Sequence, residues 1–145
     1  MGVGVGILHA DEQRGDAAEA YALLDAARNR SALTGEWAGA TSIDGAADPV
    51  ARIDDPGAVG EMLANDLQRG CVQRFPALRR VLRGLGSLGS LGFAMSGSGP
   101  TCFALFPTRA SAERARRRLE GSTHRAPGDW ISVSPLRRWG GRLAG

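Results

Sequence analysis

The run Ser96-Gly97-Ser98-Gly99-Pro100-Thr101 is the stretch of this chain best suited to chemistry. Small residues alternate there between two short apolar runs, so backbone N–H groups can come close to an anion, and such donors hold phosphate without any titrating side chain. Pro100 fixes its own φ and restrains Gly99, which gives the loop a shape. The hydroxyls of Ser98 and Thr101 are further candidate donors to the same anion. Read alone, the segment is equally an ordinary Gly-Ser hairpin turn. Asn65 and Asp66 are candidates to face the same cleft, with helix surface or a structural hydrogen bond as the alternative.

Other chemistries find little support. Cys71 and Cys102 are far apart, form no CxxC pair and have only His9 and His124 as imidazole partners, so no metal site and no cysteine nucleophile is expected. All 18 basic residues are arginine, and a chain without lysine carries neither a P-loop nor Schiff-base chemistry. The net charge of +3 and the lack of interleaved aromatics argue against a nucleic-acid partner. Gly2, Gly4 and Gly6, and later Gly84, Gly86 and Gly89, approximate the dinucleotide fingerprint. The first set has no strand before it and the second closes a helix, so neither is expected to hold pyrophosphate. With no apolar run near the length of a bilayer span and no basic N-terminal region ahead of an apolar one, the expectation is a cytoplasmic protein that avoids membranes.

The elements that must position the loop follow from periodicity. Asp16 to Asn29 predicts a first helix with Asp16 as N-cap, Glu19 in a capping-box position, and Tyr21, Leu24 and Ala27 facing the core. Thr34 to Asp54 has no clear period. Asp55-Pro56 opens a second helix expected to run through Leu67, with Val59, Met62, Leu63 and Leu67 on one side. Phe75-Pro76 opens a third, with Phe75, Leu78, Leu82 and Leu85 inward, Arg79, Arg80 and Arg83 in water, and glycines at its end. Gly92 to Met95 and Thr101 to Phe106 read as strands flanking the glycine loop. A helix from Ala110 to Glu120, with Ala112, Ala115 and Leu119 inward, and a strand from Trp130 to Val133 follow. Helices interleaved with few, closely linked strands predict an α+β two-layer sandwich with a small, mainly antiparallel sheet.

In order, Asn65-Asp66-Leu67, Phe75-Pro76-Ala77-Leu78, a helix with a glycine-rich end, and MSGSGPTCFALF from Met95 to Phe106 resemble the C-terminal domain of the GHMP kinase superfamily. Within it the likeness is to the diphosphocytidyl-methylerythritol kinases of non-mevalonate isoprenoid biosynthesis, with a weaker match from Gly15 to Leu24. The resemblance implies transfer of the γ-phosphate of ATP to a hydroxyl of a small-molecule substrate. It also implies that Ser96, Gly97, Ser98, Gly99 and Thr101 lie beside the nucleotide phosphates. ATP and its magnesium would be bound mainly by an N-terminal kinase domain carrying the ATP loop, a lysine and an aspartate, none of which has a counterpart here. No catalytic residue is therefore expected in this chain, which reads as a fragment inactive by itself. The expected division is 1–15 unassigned, 16–135 the GHMP-like domain and 136–145 an Arg/Gly tail. An apolar face left by the missing domain would favour a homodimer. Another GHMP kinase acting on homoserine or a mevalonate-type alcohol, and a non-catalytic binding module retaining the fold, are the alternatives.

Overall fold

The computed structural model describes residues 4–9, 17–34 and 55–135. The N-cap assigned to Asp16, the stretch 34–54 read as irregular, apart from Thr34, which ends the first helix, and the tail 136–145 lie outside the described residues. The elements are β1 (Gly4–His9), α1 (Ala17–Thr34), α2 (Pro56–Glu61), α3 (Asp66–Arg74), α4 (Pro76–Gly86), β2 (Gly92–Met95), β3 (Cys102–Phe106), α5 (Arg109–Glu120) and β4 (Trp130–Pro135). The strands form one antiparallel sheet in the order β2-β3-β1-β4.

Two elements differ from the sequence expectation. Residues 4–9, read as belonging to no element, form a central strand in which Gly6 stands opposite Ala104 on one side and Val133 on the other. In place of the single helix expected from Asp55 to Leu67, a short helix ends at Glu61 and another runs from Asp66 to Arg74, through residues 68–74 that were assigned to no element. Asp55 caps the first through a bond from Gly57 N–H. The second starts anew where Asn65, extended at φ −146°, accepts from Leu67 N–H. An N-cap side chain satisfies donors that a continuing helix would already have used, so the break is set locally at Asn65. The apolar spacing across the gap is coincidental, and Met62 ends up exposed.

The period of two along β3 divides the packing. Cys102, Ala104 and Phe106 join Leu67, Cys71, Leu78, Val81, Leu82, Leu85, Ala112, Ala115 and Leu119 in the main core between sheet and helices. Leu105 faces the other way, against Val59, Leu63, Leu91 and Phe103, beneath α2. Helices α4 and α5 bury the residues their spacing predicts, α5 opening on a capping box between Thr108 and Ser111. In α1 the buried line is Ala20 and Leu24, one helical turn apart, whereas Tyr21, expected inside, sits one step round the helix and is exposed. Arg83 is in water as expected, but Arg79 and Arg80 are half-buried, their Nε atoms donating to the carbonyls of Val72 (3.3 Å) and His124 (3.4 Å).

Both cysteines are free and buried. Desolvation pushes the Cys102 thiol up to about 12, and burial, with the Glu19 carboxylate second, raises that of Cys71. The folded chain thus keeps protons that the unfolded chain releases near pH 9. The stabilisation is complete below that pH and is lost as pH rises towards about 12. Urea unfolding across this alkaline window should therefore show stability falling by up to about 1.4 kcal/mol per pH unit from Cys102. Cys102→Ala should remove that part of the slope; an unchanged slope would show that the thiol is not desolvated.

Candidate functional site

The glycine loop joins β2 to β3 and is closed by two backbone bonds, Ser96 N–H to the Thr101 carbonyl (2.8 Å) and Gly99 N–H to the Ser96 carbonyl (3.0 Å). Gly97 and Gly99 have φ of +53° and +80°, a region L side chains rarely enter, and the Gly99-Pro100 peptide is cis. The start of α3 braces the loop. Asn65 Nδ2 donates to the Met95 carbonyl (2.7 Å) and the Gly97 carbonyl (2.8 Å) while its Oδ1 caps α3. One turn on, Gln68 Oε1 accepts from Met95 N–H (2.7 Å). Beneath the loop, Cys102 Sγ lies 3.6 Å from the Pro100 carbonyl.

The consequence is a polarity. The carbonyls of Met95, Ser96 and Gly97 are turned to partners within the chain, whereas the N–H groups of Gly97 and Ser98 and the hydroxyls of Ser96, Ser98 and Thr101 have no partner among the described residues. The unpaired groups of residues 96–98 are therefore mainly donors, suited to an anion. Residues 96–101 contain no titratable side chain, so the loop can position and stabilise charge but cannot itself move a proton. Among the described residues no group of three or more His, Cys, Asp or Glu side chains converges to hold a metal ion.

Ser96, Gly97, Ser98, Gly99 and Thr101 thus share one short loop, with Asn65 against it. Asp66 is directed elsewhere: its carboxylate is 3.9 Å from Arg28 of α1, an exposed pair of small energetic weight. Arg74 and Glu19 make a second α3–α1 pair at 3.2 Å. Gln68 was not anticipated. Its i,i+3 relation to Asn65 is a signal only once α3 is known to begin at Asp66.

More than half of the chain, residues 49–124, matches the family described as GHMP kinases C terminal. The chain belongs to that family. Over 103 residues it is 38% identical to the 4-diphosphocytidyl-2-C-methyl-D-erythritol kinase of Geobacter metallireducens, a match covering 70% of this chain and 32% of the relative. The enzyme of the same name from Pelobacter propionicus is 48% identical over 65 residues, 44% of this chain and 23% of the relative. This GHMP-family chain therefore spans about a third or less of the length of these relatives. Among solved structures, a homoserine kinase from Cytophaga hutchinsonii is similar with a TM-score of 0.59 at 19% identity, covering 91% of this chain and 41% of that one. The L. major mevalonate kinase in complex with R-mevalonate is similar with a TM-score of 0.66 at 15% identity, covering 90% and 42%. At such identities the likeness is one of fold, and it agrees with the α+β class and small antiparallel sheet expected from the sequence.

Proposed function

We propose that this chain supplies the C-terminal wall of the active site of a 4-diphosphocytidyl-2-C-methyl-D-erythritol kinase. The loop Ser96–Thr101 would donate hydrogen bonds to the phosphate oxygens of ATP. The single observation that carries this reading is the outward set of unpaired donors at Gly97 and Ser98, held by inward bonding of the neighbouring carbonyls. In the reaction a substrate hydroxyl oxygen bonds to the γ-phosphorus, the bond from that phosphorus to the β,γ-bridging oxygen breaks, ADP leaves, and the hydroxyl proton passes to a base. Charge on the transferred group is spread over its non-bridging oxygens, where fixed N–H dipoles stabilise it without reorganising. The base belongs to the N-terminal half that the family resemblance implies, and that half would also hold most of the ligands of the magnesium ion.

The reading extends to a cytoplasmic enzyme whose partner is that N-terminal half, with pairing of two copies as the alternative use of the surface it would cover. Among the described residues no helix is long and apolar enough to cross a membrane. The test is ATP-dependent phosphorylation of diphosphocytidyl-methylerythritol by this chain alone and mixed with a separately produced N-terminal half. Product should form only on mixing. A folded chain that gives none on mixing overturns the proposal in favour of a non-catalytic module; transfer to homoserine or mevalonate instead would reassign the substrate.

A further inference from the structure

We infer that Asn65, assisted by Gln68, is the positioning residue of the anion-binding loop and does not itself touch substrate. A primary amide has two donor hydrogens and one acceptor oxygen. Both hydrogens of Asn65 are taken up by the Met95 and Gly97 carbonyls, and its oxygen is taken up by Leu67 N–H. No donor is left for a ligand. One side chain thereby fixes the last residue of β2, the first glycine of the loop and the first turn of α3 relative to one another. Gln68 holds the N–H of the same Met95 whose carbonyl Asn65 holds, so this residue is gripped from both sides of its peptide units. With the Gly97 carbonyl held by Asn65 and the Ser96 carbonyl by Gly99 N–H, the N–H groups of Ser98 and Gly97, on the opposite edges of those same peptide planes, are kept turned away from these partners.

The proposal separates capping from gripping. Asn65→Asp keeps an oxygen for Leu67 N–H, so α3 still starts in place, but it sets a carboxylate against two carbonyl oxygens and removes both donors. Gln68→Glu keeps the acceptor that Met95 N–H uses; Gln68→Leu does not. In amide exchange followed by NMR on the 145-residue chain, Asn65→Asp should speed exchange at Ser96 and Gly99 by about tenfold or more. The amides of α3 should be unchanged. Gln68→Leu should loosen Met95 and Ser96, and Gln68→Glu should restore them.

The catalytic part of the inference rests on the kinase reading. In the reconstituted enzyme Asn65→Asp should raise the KM for ATP by about tenfold with kcat within about threefold, a split that general destabilisation does not produce. Loop amides that exchange as in the wild type would overturn the inference, as would a loosened loop with unaltered KM. If the wild-type mixture transfers no phosphate, the kinase reading fails separately and tripolyphosphate titration of the chain decides. Shifts at Gly97 and Ser98 that weaken in Asn65→Asp support positioning; their absence overturns it.

Discussion

Gly60→Ala should lower the thermal midpoint of the chain by about 10 °C, a cost of about 3 kcal/mol, although alanine in a helix normally gains about 1 kcal/mol over glycine. The reason is backbone on backbone. A Cβ on Gly60 would fall onto the Leu91 carbonyl and lie 3.1 Å from Gly92 N; one on Gly92 would strike the Gly60 carbonyl in return. Neither side has a side chain that can rotate away, and Leu91 is pinned to β3 by its N–H bond to the Leu105 carbonyl at 2.8 Å. Helix α2 must therefore lift from the sheet, opening the contacts of Val59 and Leu63 with Leu105. Gly57→Ala, where the added carbon meets only Asp55 Oδ1 at 3.3 Å, is the control and should stay within about 1 kcal/mol. Thermal unfolding of the two variants checks this. A midpoint for Gly60→Ala at or above that of the wild type would mean that α2 does not sit on β2.

That contact also shows what a sequence can and cannot announce. Helices α4 and α5 were legible because Leu78, Leu82 and Leu85, and Ala112, Ala115 and Leu119, carry the helical period to the core and turn or cap residues bound it. The hairpin was legible because two apolar runs flank a segment that only a turn accommodates. The division of α2 from α3 was hidden because apolar spacing continues from Val59 to Leu67 across a break made by hydrogen bonding at Asn65. Strand β1 was hidden because Gly4 and Gly6 have weak strand preference, and its partners Cys102–Phe106 and Trp130–Pro135 lie at the other end of the chain. At the candidate site the residue types gave the loop. The grip of Asn65 and Gln68 upon it is a tertiary relation that needs α3 placed over the end of β2.

The loop itself should be most sensitive at Gly99. At Gly97 the left-handed backbone is the sole penalty, since an added carbon would meet nothing within 4 Å, and Gly97→Ala should cost about 1–2 kcal/mol of stability. At Gly99 the same penalty, at φ +80°, is joined by contact with Met95 Sδ at 2.9 Å. Met95 is buried, so although its thioether is flexible its displacement must be absorbed by the core. Both neighbours of that collision shape the loop: Met95 is the residue Asn65 and Gln68 grip, and Gly99 N–H closes the turn onto Ser96. A shift there re-aims the Gly97 and Ser98 donors, and misplacement by about 1 Å at a phosphoryl-transfer site costs about a hundredfold in rate. Gly99→Ala should therefore reduce kcat/KM for ATP in the reconstituted enzyme by about a hundredfold, and Gly97→Ala by about tenfold or less, with both chains still folded. Steady-state rates beside circular dichroism melts distinguish the cases. Equal losses in the two variants would trace the effect to backbone conformation alone, and full activity in Gly99→Ala would remove the loop from the phosphate site.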